Sequence, residues 1–325
     1  MLTAADFAPV RFSTWDLPER ERLSRWREEY SRGMVDVDVE PVTSDEPFFA
    51  EATLQALPAV RTALCAGSLA RLNRTRALAA DGGDSVGLIV SLSAKANVFQ
   101  RGEDVTLNAG DAILMSAGDA GILTSTHHLD ILLPRGPLAA RVRNLDGAIM
   151  RPIPRSIEPL QLLVGYLDLL RKDATLATHE LRRSVAGHVH DLAALALGAN
   201  RDTRQNALSA VAAAHLAAAL AHIEESFAEP GLMLETVARR QGISSRYLQQ
   251  LLETSGTSFT ARVNELRLQK AFAQLTNGQH MKRQISDIAL EAGFSDISHF
   301  NRLFRARFGD TPRGVRGSCD AGFGP

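Results

Sequence analysis

The chain has 325 residues, enough for about two domains, and its 45% hydrophobic and 22% charged residues exclude a fibrous or disordered protein. The net charge of −1 argues against a protein that coats nucleic acid, although residues 201–325 hold 15 Lys and Arg against 12 Asp and Glu. No signal-peptide pattern and no run of about 18 apolar residues occurs, so we expect a cytoplasmic protein without a membrane partner.

Short runs of β-branched and apolar residues alternate with Gly, Asp and Asn between about residues 35 and 134. SVGLIVSL, DAILM and LDILL are examples. Many short strands separated by turn residues predict an antiparallel β sandwich or barrel.

Apolar residues recur at helical spacing after this segment and predict two helices, residues 157–172 and 175–197. Their leucines exceed what one face of a sheet needs, so we expect a homodimer contact here, with packing onto the chain's own sheet as the alternative. The leucines are Leu160, Leu163, Leu167, Leu170, Leu192 and Leu195. A polar stretch follows and predicts a linker at 201–206 between domains 1–200 and 207–325.

A weak repeat occurs in the second half of the chain. In each copy an Ala precedes a Gly by four residues, and a hydrophobic residue follows at once: Ala238 and Gly242, then Ala289 and Gly293, 51 residues later. A small residue allows two helices to cross closely, and Gly accepts the left-handed backbone of a short turn. The repeat therefore predicts two helix-turn-helix units.

The second helix of each unit should bury one apolar face and leave the other free for the DNA major groove. The buried residues are predicted to be Leu248, Leu251 and Leu252 in the first unit and Phe300, Phe304 and Phe308 in the second. A continuous helix at 257–275 lies between the units, and its length of roughly 28 Å is close to one turn of DNA.

Several segments of this half match a known pattern: RLQKA at 267–271, ISDIA at 285–289, GFSDISHFNRLF at 293–304 and FGDTP at 308–312. They resemble the C-terminal signature of AraC/XylS-family transcription regulators over about residues 210–316. The resemblance implies that one domain recognises two successive major-groove segments of double-stranded DNA. It further implies a preceding effector or dimerisation domain, RNA polymerase as a partner, and activation more often than repression. Met233 and Gln284 depart from the family's Ser or Thr helix caps, and Val315 replaces an aromatic residue.

The recognition helices supply candidate DNA contacts, and their N-terminal caps are expected to be Ser244 or Ser245 in the first and Asp296 in the second. Arg suits guanine and Gln suits adenine as bidentate partners, and an Ile can meet a thymine methyl group. The base-reading candidates are Arg246, Gln249 and Gln250 in the first unit and Ile297, Ser298, Asn301 and Arg302 in the second, with His299 at the edge of that face. Phosphate contacts are expected from Arg305 and also from Arg307, Arg313, Arg316, Lys282 and Arg283. The alternative for each is a plain solvated side chain.

The β-rich segment more loosely resembles the cupin-like ligand domain of the same regulators, so the expected fold class is α+β: an antiparallel cupin-like barrel with flanking helices, then an all-α domain. Arg71 and Arg74 are candidates for binding an anionic effector, and family analogy favours an aromatic or carboxylated metabolite. The alternative for both is an exposed edge strand protected by charge.

Two other functions remain open: a regulator without an effector, and a cupin-type metal enzyme. The enzyme needs converging His and Glu ligands, whereas His127 and His128 are adjacent and point to opposite faces of a strand. The two cysteines, Cys65 and Cys319, form no metal-binding motif. We therefore expect no catalytic residue, no metal and no cofactor.

Overall fold

The structure is a computed structural model that describes residues 9–33, 36–43, 46–80, 83–172, 178–200, 202–203, 207–276 and 283–320. The chain divides into two compact units, Met1–Ala214 and His215–Pro325. In the predicted linker, residue 201 and residues 204–206 lie outside the described residues. Within the described ranges, no helix has the length and apolar character needed to cross a membrane.

In the part of the chain that the structure describes, the first unit is built on one nine-stranded sheet. Its strands are β1 (Val10–Ser13), β2 (Asp38–Pro41), β3 (Ala50–Leu57), β4 (Val60–Arg74), β5 (Ser85–Ser91), β6 (Lys95–Gln100), β7 (Glu103–Asn108), β8 (Ala112–Ser116) and β9 (Gly121–Pro134). All the strand pairs are antiparallel, which confirms the predicted antiparallel β architecture.

The long strands β4 and β9 form the spine of this sheet. They pair along most of their length, with a bulge between Ala66 and Ala70 that bends the sheet. The other side of β4 is shared by β3 and β2, and the other side of β9 is shared by β6 and β5. Both faces of β9 are covered, since Leu129 and Ile131 are buried on one face and His128 and Leu132 on the other.

Helices accompany the sheet: α1 (Glu19–Gly33), α2 (Arg76–Ala79), α3 (Arg135–Ala139), α4 (Glu158–Lys172) and α5 (His179–Ala196). The two predicted helices are confirmed as α4 and α5. The pattern did not indicate α1, because charged residues dominate it. This helix nevertheless buries Trp26 and Tyr30, whose rings stack one turn apart with centroids at 4.8 Å.

Most of the leucines behind the expected dimer contact are buried within the chain. Leu195 is half-buried, and the buried ones are Leu160, Leu163, Leu167, Leu170 and Leu192. The alternative, packing within the chain, accounts for this apolar surface, so the argument that leucines are left over for a partner is wrong.

The second unit is helical. Its helices are α6 (Leu208–Ser226, within which the unit boundary falls), α7 (Leu234–Arg240), α8 (Ser245–Thr254), α9 (Phe259–Thr276), α10 (Ile285–Glu291), α11 (Ile297–Phe308) and α12 (Pro312–Asp320). They surround two apolar clusters, one around Leu248 and Leu252 and one around Phe300 and Phe304.

Candidate nucleic-acid interface

The first helix-turn-helix unit consists of α7 and α8. Ala238 of α7 and Leu248 and Leu252 of α8 are at most 1% exposed and belong to one core cluster. The Ser244 hydroxyl accepts a hydrogen bond from the Tyr247 backbone N–H at 3.2 Å, so this side chain caps α8 as predicted. Two residues predicted to be buried are only half-buried: Leu251 in this unit and Phe308 in the second helix-turn-helix unit.

The second unit consists of α10 and α11. Phe300 and Phe304 are fully buried and hold α11 against α9 and α10. The Asp296 carboxylate accepts hydrogen bonds from the backbone N–H groups of Ser298 and His299 at 2.7 and 3.1 Å, which confirms Asp296 as the cap of α11. These bonds hold the pKa of Asp296 below its ordinary value.

The turns of the two units have the same geometry. In the first, the Ile243 N–H donates to the Ala238 carbonyl at 3.1 Å, and Gly242 has a φ of +68°. The second repeats this bond at 3.0 Å, and Gly293 has a φ of +102°. This six-residue closure around a left-handed Gly is a Schellman motif. The sequence repeat is therefore a structural repeat.

Helix α9 belongs to both cores. Val263 packs into the first cluster, whereas Leu268, Ala271 and Leu275 pack into the second. Its 18 residues give a length of roughly 27 Å. The predicted strut between the two units is confirmed, and its two ends are fixed by different apolar contacts.

The predicted base-reading residues of the first helix-turn-helix unit lie on the solvent side of α8. Arg246, Gln249 and Gln250 are exposed. The Gln249 amide donates to the Glu253 carboxylate at 2.9 Å, one helical turn away. To contact a base, the Gln249 amide must break its hydrogen bond to Glu253 and form one to the base instead. Glu253 also adds a negative charge to the same face.

In α11 the predicted residues differ in exposure. The exposed ones are Ser298, Asn301, Arg302 and Arg305. His299 is half-buried, and its Nδ1 lies 3.1 Å from Arg302 Nη2. Ile297 is half-buried against the second core, so only part of its side chain is open to a thymine methyl group.

The predicted phosphate contacts fall into two groups. Arg307 forms a two-pronged ion pair with Glu265, with bonds of 2.9 to 3.0 Å that also lower the pKa of Glu265. Arg316 is half-buried and donates to the Arg283 carbonyl at 2.9 Å. Both guanidinium groups are therefore already bonded within this domain, and their assignment to phosphate stays a prediction. Arg283 itself pairs with Glu291.

Two arginines remain exposed: Arg305 on α11 and Arg313 on α12. No ion pair within the described ranges engages either of them. Lys282 lies outside the described residues.

Arg267 is a stabilising residue whose role the sequence pattern did not reveal. Its Nε donates to the Phe227 carbonyl at 2.7 Å and its Nη2 to the Glu229 carbonyl at 2.9 Å. The guanidinium also lies 6.0 Å from the centre of the Phe294 ring. Arg267 thereby connects the turn of the second helix-turn-helix unit to the segment after α6.

The two arginines proposed for an effector do not converge. Arg71 is exposed, whereas Arg74 is 6% exposed and donates to the carbonyls of Ala117 and Asp36 at 2.6 and 2.8 Å. The alternative, an exposed edge strand, is wrong, because this part of β4 pairs with β2 on one side and β9 on the other.

Arg74 lines a cavity of about 90 Å³ in the first compact unit, Met1–Ala214. Its wall is mostly apolar, and its further polar residues are Tyr30, Gln100, Ser116, Asp119 and Asp130. This volume accepts several water molecules or one small organic ligand.

The neighbouring histidines face opposite ways, as predicted. His128 is 4% exposed, whereas His127 is half-buried and lines a surface groove with Arg11 and Glu51.

Comparisons with known proteins agree with a helix-turn-helix domain in this half of the chain. Residues 237–318 match the helix-turn-helix domain family. The transcriptional activator RhrA of Rhizobium meliloti is 30% identical over 189 residues, 57% of each chain. The transcriptional activator RhaS of Citrobacter koseri is 36% identical over 124 residues, 38% of this chain and 39% of RhaS. The chain thus spans 57% of the length of RhrA and 39% of the length of RhaS. The crystal structure of the AraC-like transcriptional activator CuxR is 21% identical, covers 87% of this chain and 100% of CuxR, and has a TM-score of 0.48.

Proposed function

We propose that this chain is a sequence-specific DNA-binding regulator of transcription of the AraC type that works in the cytoplasm, because residues 237–318 match the helix-turn-helix domain family. The observation that carries the proposal is the pair of capped recognition helices, α8 and α11, each with a buried apolar face and an exposed polar face. Two such helices joined by α9 suit two successive major-groove segments. RhrA and RhaS are named transcriptional activators, which supports activation. RNA polymerase is the partner that activation would require.

The proposed base contacts are the exposed polar residues of the two recognition helices. They are Arg246, Gln249 and Gln250 on α8, and Ser298, Asn301 and Arg302 on α11, with Ile297 and His299 at the margin. Arg305 and Arg313 are the proposed phosphate contacts, since they are exposed and outside the ion pairs described above.

Selection of duplexes from a random pool with the full-length chain tests this function. We expect enrichment of two conserved half-sites separated by about one helical turn, 10 to 10.5 base pairs. Enrichment of a single half-site would remove one recognition helix from the proposal, and binding of selected and scrambled duplexes with equal affinity would refute it.

We further propose that a small carboxylated or aromatic effector binds in the cavity beside Arg74. A carboxylate is a suitable partner for a guanidinium in an apolar wall. A thermal-shift panel of small carboxylates should contain one that stabilises the chain. The shift should shrink in Arg74→Lys and persist in Arg71→Ala, the exposed control. A panel without any shift favours a regulator that acts without an effector.

The domain limits 1–200 and 207–325 and the homodimer are also proposals. The two compact units support two domains. The dimer rests on family analogy alone, since most of the leucines first assigned to it are buried within the chain.

A further inference from the structure

A cluster of metal-ligating side chains lies on the cavity face of the sheet. Cys65 of β4 pairs directly with His128 of β9, and Asp130 follows two residues later on the same face. Their ligand atoms, the Cys65 Sγ, a His128 ring nitrogen and an Asp130 carboxylate oxygen, all lie within 4.8 Å of one another. These three residues are called the β4–β9 cluster below.

The β4–β9 cluster is buried and incompletely hydrogen-bonded. Cys65 and His128 are 3% and 4% exposed. Both ring nitrogens of His128 and the Oδ1 of Asp130 are buried without a hydrogen-bond partner. His128 Nε2 lies 3.6 Å from Asp130 Oδ2, which is too long for a hydrogen bond. Buried polar atoms without partners are costly and uncommon, so three on two neighbouring side chains require a cause.

We propose that the β4–β9 cluster binds one divalent transition-metal ion of the zinc class, through the Cys65 thiolate, the His128 imidazole and the Asp130 carboxylate. Sulfur, nitrogen and oxygen donors together suit Zn²⁺, whereas Mg²⁺ and Ca²⁺ take oxygen donors. In a tetrahedral zinc site the donor atoms lie roughly 3.3 to 3.8 Å apart. Side-chain movements of about 1 Å bring these three atoms to that spacing.

The surroundings supply an orienting partner and space for a fourth ligand. The Tyr30 hydroxyl donates to Asp130 Oδ2 at 2.8 Å and so positions the carboxylate beside His128. Tyr30 and Asp130 also line the 90 Å³ cavity. A water molecule or a small ligand in that cavity completes the coordination, as in zinc sites with three protein ligands.

The competing arrangement is an ion pair between a protonated His128 and Asp130, without metal. Burial alone lowers the pKa of His128, but Asp130 and Cys65 raise it to about 10. Metal and proton therefore compete for the same atoms, and a metal-binding measurement distinguishes the two arrangements.

The test uses the untagged full-length chain carrying Cys319→Ser, in which Cys65 is the remaining thiol. After treatment with a chelator, Co²⁺ is added as a spectroscopic probe. We expect one equivalent of Co²⁺ to produce thiolate-to-cobalt absorption in the near ultraviolet and tetrahedral bands in the visible, and Zn²⁺ to remove both. Cys65→Ser should lose the thiolate band. His127→Gln is the matched control, since it changes the adjacent histidine on the opposite face, and should keep the band.

Two further measurements keep the proposal testable if Cys65→Ser fails to fold. In the chain with an intact β4–β9 cluster, Zn²⁺ should slow the reaction of Cys65 with a thiol reagent about tenfold, and Mg²⁺ should not. Tyr30→Phe should fold and bind metal about 10 to 100 times more weakly. A natively folded chain without the cobalt band and with unchanged thiol reactivity would overturn the proposal, as would a band retained in Cys65→Ser.

Discussion

Arginine side chains in the second compact unit, His215–Pro325, have two kinds of surroundings. Arg267, Arg307 and Arg316 donate to carbonyl or carboxylate groups of the same unit. Arg302 and Arg305 of α11 and Arg313 of α12 are exposed. The first kind stabilises the fold, whereas the second is available to DNA. Charge and position in the motif do not distinguish them, because the distinction depends on which carbonyl groups the folded chain brings near.

Replacing Gln249 or Arg302 with Ala should reduce sequence preference. Either change removes a side chain proposed to contact base edges, so operator binding should weaken by about 1–3 kcal/mol while binding to scrambled duplex stays nearly constant. Anisotropy titrations on both duplexes measure this. Equal losses on both would show that the recognition faces are wrongly assigned, and unchanged melting curves exclude local unfolding.

The variants Arg313→Ala and Arg316→Ala should have different effects, the first on DNA binding and the second on thermal stability. Loss of a phosphate contact at Arg313 weakens all duplexes alike and flattens the slope of log K against log salt by about 0.9, without a change in melting temperature. Arg316→Ala should lower the melting temperature instead, because the chain loses the bond to the Arg283 carbonyl. Salt-dependent titrations and thermal melts measure the two effects, and the reverse pattern would contradict the assignments.

At the scale of secondary-structure elements, local features were predictable and long-range pairings were not. The caps Ser244 and Asp296 and the left-handed Gly242 and Gly293 follow from short patterns, and the structure confirms them. The β4–β9 cluster joins residues more than sixty positions apart, so its assembly depends on strand register that no local pattern encodes. His128 and Asp130, two residues apart on one strand, were the available signal.

Gly293→Ala should destabilise the chain more than Gly242→Ala. Both positions have a positive φ, which costs a non-glycine residue about 1–2 kcal/mol. A Cβ at Gly293 would in addition lie 2.8 Å from Arg267 Nε and 2.9 Å from the Ala228 carbonyl oxygen, whereas a Cβ at Gly242 meets no atom within 4 Å. Urea denaturation compares the two free energies of unfolding. Equal losses would mean that the crowding at Gly293 is relieved at little cost.

At the scale of the whole molecule, the apolar clusters indicate where independent folding is expected. The two clusters of the second unit are formed by residues from 219 onward. The first unit has its own sheet and covering helices. Sequence composition predicted a division into two parts at residues 201–206, whereas the division between the two compact units falls later in the chain, within α6.

The oligomeric state of residues 1–200 tests the homodimer. We expect light scattering at micromolar concentration to give twice the monomer mass if the first domain carries the dimer contact. A strictly monomeric fragment would contradict this. Leu181→Glu and Val10→Glu alter exposed apolar residues and would show which surface is used.

A fragment of residues 203–325 should fold alone and bind operator DNA without an effector, because both of its apolar clusters are complete within it. We expect a cooperative thermal melt, and Leu252→Ala should lower the fragment's stability by about 2–5 kcal/mol by opening a cavity in the first cluster. The fragment should bind a single operator site about as tightly as the full-length chain does. If the full-length chain is a dimer, it should bind two adjacent sites about 10² to 10⁴ times more tightly than the fragment, because the second contact becomes intramolecular. A fragment without a cooperative melt would show that the second unit needs the first to fold. Equal affinities of the fragment and the full-length chain for paired sites would instead argue for a monomeric regulator.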